Sequence, residues 1–109
     1  MTFGEYQQQS RKTAIYPASM ALSYPALGLA GECGEVANKV KKVFRDHGGN
    51  LAASGYAGAI EDEIGDVIWY VAQLATDAGL SLDCIAERNL AKLAKRQAEG
   101  KLGGDGDNR

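Results

Sequence analysis

Two pairs of acidic residues stand inside apolar, helix-like segments of this chain and constrain its fold more than any other feature. Glu32 and Glu35 form the first pair, and Glu63 and Asp66 form the second. Residues three apart on an α-helix lie about 60° apart around its axis, so each pair projects from one face. Carboxylates placed in this way repel each other unless a cation lies between them. Hard divalent cations prefer such oxygen ligands, so the pairs predict a metal site.

Apolar residues that recur every three or four positions predict four helices, and no alternating pattern of useful length predicts a strand. The predicted helices cover about 2–12, 25–46, 57–78 and 82–98. The second and third are long and carry the acid pairs, whereas 51–58 is predicted to be a loop because it is rich in small residues. The chain is therefore predicted to be all-α, a four-helix bundle with two long central helices that carry the acid pairs.

Glycines accompany both acid pairs, at Gly31, Gly34 and Gly65. Each one costs a helix interior about 1 kcal/mol relative to alanine, so the missing side chains need an explanation. We predict that they allow the second and third helices to approach closely at the level of the acids. Such an approach places both pairs around one cavity.

The fourth predicted helix has an apolar face and a polar, cationic strip. The residues predicted to face inward are Leu82, Ile85, Ala86, Leu90, Leu93 and Ala94. The strip consists of Asn89, Lys92, Lys95 and Arg96. A strip of this kind is either a solvated face or a binding surface for phosphate oxygens, for which lysine supplies a point charge and arginine a fork.

Length and charge exclude several classes of protein. A chain of 109 residues is long enough for one core, so we predict one domain over residues 1–99 and a flexible Gly- and Asp-rich tail over 100–109. A net charge of −2 without a basic stripe argues against binding to duplex nucleic acid. No apolar run is long enough for a membrane span, and we expect no secretory signal, because the first residues lack a basic region followed by an apolar one. Cys33 and Cys84 are predicted to be reduced, buried thiols of a cytoplasmic protein.

The order and spacing of these motifs resemble a known family, the all-α nucleoside triphosphate pyrophosphohydrolases of the MazG-like type. That family has an E-x-x-E pair on one helix and an E-x-x-D pair on the next, here Glu32/Glu35 and Glu63/Asp66. The flanking segments are also similar: 28–31 reads GLAG, 66–70 reads DVIWY, and 89–93 reads NLAKL. The resemblance covers about residues 3–99.

The resemblance implies an enzyme that converts a (deoxy)nucleoside triphosphate and water into the monophosphate and pyrophosphate. It implies that Glu32, Glu35, Glu63 and Asp66 bind two or three Mg²⁺ ions, for which Mn²⁺ substitutes, and that a metal-bound water attacks the α phosphate. The residue implied to accept the proton of that water is either Glu32 or Glu35. The residues implied at the substrate, or added to it from the same helix faces, are Asn38, Lys42, Tyr70, Asn89, Lys92 and Arg96.

The resemblance also implies a homo-oligomer, either a dimer or a dimer of dimers, and an origin in a bacterium or a phage. Base preference stays open, with a purine triphosphate such as dGTP or GTP as the first candidate. Two other interpretations remain: a nucleotide hydrolase related to the all-α dUTPases and dCTPases, and a non-catalytic helical dimerisation module whose acids only face solvent.

Overall fold

Helices form every regular element between residues 1 and 104, the part of the chain that this computed structural model describes. The α-helices are α1 (Phe3–Arg11), α2 (Ser23–His47), α3 (Leu51–Ser54), α4 (Ala57–Asp77) and α5 (Leu82–Ala98), and a 3-10 turn spans Ala18–Met20. The prediction of an all-α fold is confirmed, and the two long helices α2 and α4 carry the acid pairs. Residues 105–109 of the predicted tail lie outside the described residues.

Capping residues set the ends of these helices close to the predicted positions. Thr2 and Glu5 form the predicted capping box, in which the Thr2 hydroxyl accepts a hydrogen bond of 3.0 Å from the Glu5 backbone N–H. Gly48 ends α2 in the left-handed conformation, with φ of 60°. The Ser81 hydroxyl caps α5 by accepting from the Cys84 N–H at 3.4 Å.

The helix α3 corrects the prediction of a loop over 51–58. The Asn50 side chain caps this helical turn by accepting a hydrogen bond of 3.1 Å from the Ala53 N–H. Gly55, with φ of 73°, ends it. A helix of four residues is too short to show a helical period, so only the cap at Asn50 could have indicated it.

α2 packs along α4, and α1 packs on both α4 and α5. The buried apolar cluster is small and consists of Ala72, Ala75 and Leu82, with Tyr6 packed against it. The radius of gyration is 16.8 Å, whereas a compact chain of this length has a value of about 13 Å. A single chain therefore leaves much apolar surface uncovered. No helix within residues 1–104 has the length and hydropathy needed to cross a bilayer.

The prediction that the apolar face of α5 points inward is wrong for most of the helix in a single chain. Leu82 is buried, but Ile85 is 41% exposed and Leu90 is 67% exposed. The reason is that α5 packs against α1 rather than along the α2/α4 pair. The predicted burial of Cys33 and Cys84 is also wrong, because both thiols are exposed.

The close approach between α2 and α4 occurs at a different glycine from those predicted. A Cβ built on Gly31, Gly34 or Gly65 meets no described atom within 4 Å beyond its chain neighbours and the backbone of its own helix, so the prediction for these three is wrong. A Cβ built on Gly28 instead overlaps the ring of Tyr70. Gly28 therefore sets how closely α2 approaches α4, one turn before the first acid.

Gly28→Ala is expected to destabilise the protein by about 1–3 kcal/mol, because the added methyl group forces the Tyr70 ring out of its position. Gly31→Ala is the matched control on the same helix. It is expected to raise stability by about 0.5–1 kcal/mol, since the methyl group enters open space and alanine favours the helix. Urea unfolding of the two variants measures both effects, and equal shifts in the same direction would contradict this account of Gly28.

Candidate metal centre

The packing of α2 along α4 brings three of the four predicted acids together. Glu32 from α2 and Glu63 and Asp66 from α4 each offer a carboxylate oxygen, and these oxygens lie within 4.8 Å of one another. Glu63 and Asp66 are three apart on α4, so one face of that helix presents both to α2. We call Glu32, Glu63 and Asp66 the acid cluster.

Glu35, the fourth predicted ligand, lies at the edge of the acid cluster rather than within it. Its side chain is 56% exposed, and its Oε2 lies 3.9 Å from the Nζ of Lys39. The same Nζ donates a hydrogen bond to Oε1 of Glu63, so Lys39 links the first acid pair to the second. Lys39 is not among the site residues predicted from the sequence. The signal that could have identified it is its position four residues after Glu35, on the same face of α2.

The carboxylates of the cluster perturb one another's protonation. The pKa of Glu32 is raised, first by its hydrogen bond with Glu63, then by burial and by the negative charges of Asp66, Glu63 and Glu35. The pKa of Glu63 is lowered, chiefly because Lys39 donates a hydrogen bond to it and also because of its bond with Glu32. Within this hydrogen-bonded pair, Glu32 therefore has the higher pKa, and a divalent cation would stabilise the cluster by compensating its negative charges.

The acid cluster fits a hard divalent cation. Its donors are all carboxylate oxygens, the ligand type that Mg²⁺ and Mn²⁺ prefer. The oxygens are close enough for several of them to contact one ion, and α2 and α4 hold them from two sides. This is the arrangement by which helix bundles build metal sites, with inward carboxylates on facing helices.

A series of aromatic rings leads from the connector between α1 and α2 to the acid cluster. Tyr16 stacks on Tyr24 with ring centroids 4.7 Å apart, and Tyr24 lies 6.3 Å from Tyr70. Tyr70 also meets Trp69 edge to face at 5.1 Å. The pKa of the Tyr70 hydroxyl is raised by burial, by Tyr24 and by the charges of the nearby cluster. The predicted substrate residue Tyr70 therefore lies beside the acids.

Asp77, at the end of α4, holds the connector in place. Its side chain is only 2% exposed, and it accepts hydrogen bonds from Arg11 at 2.9 Å, Tyr16 at 2.7 Å and the backbone N–H of Leu22 at 3.0 Å. Leu22 precedes α2 with φ of 67°, an unfavourable conformation that this contact helps to maintain. The contact is not predictable from the sequence, because no local pattern joins residues so far apart along the chain.

The other predicted substrate residues lie on α2 and α5. Asn38 and Lys42 follow Glu35 on α2, where Asn38 lines a shallow depression together with Glu35. Asn89 and Lys92 line a second depression on α5, and Arg96 is buried near the end of that helix. Because α5 packs against α1, these last three are on a different part of the helix arrangement from the α2/α4 contact that forms the cluster. Their roles stay predictions.

Comparison with known proteins decides the family. The model of the MazG nucleotide pyrophosphohydrolase domain matches residues 23–100, which include α2, α4 and α5 and all four acids. The chain belongs to the MazG nucleotide pyrophosphohydrolase family. The resemblance stated from the acid pairs is thereby confirmed.

A close relative of this MazG-family chain comes from a bacteriophage. The Gene 37 protein of Mycobacterium phage L5 is 44% identical over 110 residues, an alignment that covers 95% of this chain and 96% of the phage protein. The name of that protein describes no activity. No solved structure matches the chain.

Proposed function

We propose that this MazG-family chain is a divalent-cation-dependent pyrophosphohydrolase of (deoxy)nucleoside triphosphates. Water attacks the α phosphorus, the bond between that phosphorus and the oxygen bridging to the β phosphorus breaks, and the products are the monophosphate and pyrophosphate. The observation that carries the proposal is the acid cluster, in which carboxylate oxygens from α2 and α4 converge within 4.8 Å in a chain of this family.

Glu32, Glu63 and Asp66 would hold Mg²⁺ or Mn²⁺, with Glu35 as a ligand at the edge where a second or third ion would bind. When bound, such cations would neutralise charge at the phosphates and lower the pKa of a nearby water. Without such compensation, four carboxylates would repel a triphosphate. In this proposal Glu32 or Glu35 accepts the proton from the attacking water.

Side chains around the cluster would position the nucleotide. Tyr70 is the best supported, because its ring is held between Gly28 and Trp69 and its hydroxyl lies near the acids. The residues proposed for phosphate or sugar contacts are Asn38, Lys42, Asn89, Lys92 and Arg96. For the base we propose a purine such as guanine as the first choice to test.

A panel of nucleoside triphosphates and diphosphates, with pyrophosphate and orthophosphate measured separately, tests this proposal. Pyrophosphate release that requires Mg²⁺ or Mn²⁺ and stops on chelation is the expected result. Release of orthophosphate alone, or pyrophosphate release that chelation leaves unchanged, contradicts it. Turnover of diphosphates or of dUTP alone indicates an all-α dUTPase-like enzyme. No turnover with any nucleotide indicates a non-catalytic helical module.

We propose further that the protein is a homo-oligomer, a dimer or a dimer of dimers. Exposed apolar side chains support this, among them Leu27, Leu90 and Phe44, and so does the large radius of gyration of the single chain. Light scattering coupled to size-exclusion chromatography is expected to give a mass of two or four chains. Leu90→Glu is expected to lower that mass, because Leu90 lies on the exposed apolar face of α5. Lys41→Gln, which changes the net charge by the same one unit, is the control and is expected to keep the wild-type mass. A monomeric mass for the wild type would contradict the proposal.

A further inference from the structure

Lys39 contacts the acid cluster but is not one of the proposed metal ligands. It is partly buried, and its Nζ donates a hydrogen bond to Glu63 and lies 3.9 Å from Glu35. Both contacts lie at the edge of the acid cluster. Glu63 is also a member of the cluster, so a cation-binding carboxylate is already occupied by an internal ammonium group.

The contact has an electrostatic reason when no divalent ion is bound. Three carboxylates whose oxygens lie within 4.8 Å repel one another, and the partial burial of Glu32 and Glu63 weakens the screening by water. The Lys39 ammonium group supplies one compensating charge through Glu63. It compensates only in part, since it contacts neither Glu32 nor Asp66 in the hydrogen bonds and ion pairs of the described residues.

The same contact opposes binding of a divalent ion. An ion that contacts Glu63 together with the other two acids would lie within a few ångströms of the Lys39 Nζ, where two positive charges repel. The lysine stem has four flexible carbons, so the ammonium group can withdraw without a change in α2. The Glu35 carboxylate, exposed and four residues before Lys39, lies within reach of the withdrawn group.

We propose that Lys39 is a displaceable internal cation, which holds the acid cluster together in the metal-free protein and leaves Glu63 when a divalent ion binds. This inference rests on the metal binding proposed above and gives Lys39 a positioning role within it. Two consequences follow: Lys39 weakens the affinity for the ion, and it stabilises the protein when the ion is absent.

Calorimetric titration with Mn²⁺ and thermal unfolding with and without Mn²⁺ test the proposal on wild type, Lys39→Gln and Lys41→Gln. Lys41→Gln is the matched control, because it also removes one positive charge from α2. Lys41 lies about 200° around the helix axis from Lys39. Lys39→Gln is expected to bind Mn²⁺ several-fold more tightly than wild type. It is also expected to unfold at a lower temperature without Mn²⁺ and to gain more than wild type when Mn²⁺ is added. Lys41→Gln is expected to match wild type in both measurements.

Equal or weaker binding of Mn²⁺ by Lys39→Gln overturns the proposal, and so does an equal gain in affinity by Lys41→Gln. Lys39→Arg serves if the glutamine variant does not fold without metal. It keeps the charge and is expected to bind Mn²⁺ no more tightly than wild type, so tighter binding by it also overturns the proposal. If wild type and Lys39→Gln both fail to bind Mn²⁺, the proposed metal site fails together with this inference, whereas binding by wild type without a gain in Lys39→Gln removes the inference alone.

Discussion

Glu63→Gln is expected to lower the rate of pyrophosphate release by at least about 100-fold at a fixed concentration of Mg²⁺. Glu63 makes two contacts within the site. It shares a hydrogen bond with Glu32 across the α2/α4 contact, and it accepts a hydrogen bond from Lys39. Glutamine keeps the shape of the side chain but removes the negative charge that a cation needs. Steady-state kinetics measures the loss of rate, and calorimetric titration with Mn²⁺ measures a loss of affinity for the ion. The two losses should occur together.

Glu61→Gln is the matched control for this prediction. Glu61 lies on α4, two residues before Glu63 and therefore on nearly the opposite side of the helix, and it is exposed. The control variant is expected to keep the wild-type rate and the wild-type affinity for Mn²⁺. Equal rates in the two variants would mean that the acid cluster is not the catalytic site, provided that circular dichroism shows both to be folded.

Asp77→Asn is expected to destabilise the protein by about 2 kcal/mol and to lower its thermal midpoint by roughly 10 °C. The buried carboxylate accepts hydrogen bonds from Arg11, Tyr16 and the Leu22 backbone, and asparagine cannot accept all three. The unfavourable free energy of the Leu22 backbone conformation is then no longer offset by this hydrogen bond. Asp62→Asn, an exposed change on the same helix, is expected to leave the midpoint unchanged. Equal midpoints for the two variants would contradict the role assigned to Asp77.

The stabilisation by Asp77 should depend on pH. Burial by itself raises the pKa of this carboxyl, but the bonds from Leu22, Tyr16 and Arg11 outweigh burial and hold the pKa below its ordinary value. A carboxyl with a lowered pKa in the folded state stabilises the protein at neutral pH, and this contribution is lost as pH falls below about 4. The difference in stability between wild type and Asp77→Asn should therefore shrink from neutral pH to about pH 3. A difference that stays constant over this range would contradict the account.

The glycines show why a pattern can point to the right contact and the wrong residue. Gly31, Gly34 and Gly65 stand next to the acids, so their cost to the helix indicated close packing there. The structure leaves all three open and places the close approach at Gly28 against Tyr70. The sequence identifies which residues lack side chains, but the rotation of each helix about its axis decides which of these positions faces another helix.

The apolar face of α5 also shows that a sequence pattern does not identify the contacting element. Its apolar residues recur at helical spacing, which correctly predicts a helix with one apolar side. Periodicity does not identify what covers that side, and in a single chain Leu90 remains exposed because α5 lies against α1. The apolar face therefore becomes an argument for a second chain rather than for a core.

The sequence by itself determined the all-α class, the ends of the long helices and the family, because caps, helical periods and the spacing of the acids act over a few residues. It also placed Glu32, Glu63 and Asp66 on helix faces from which they could meet. Tertiary structure decided what lies around them: Glu35 at the edge, Lys39 on Glu63, Tyr70 against Gly28, and Asp77 beneath the connector. These contacts join residues that are distant along the chain, and their geometry depends on how α1, α2 and α4 pack, which no local pattern specifies.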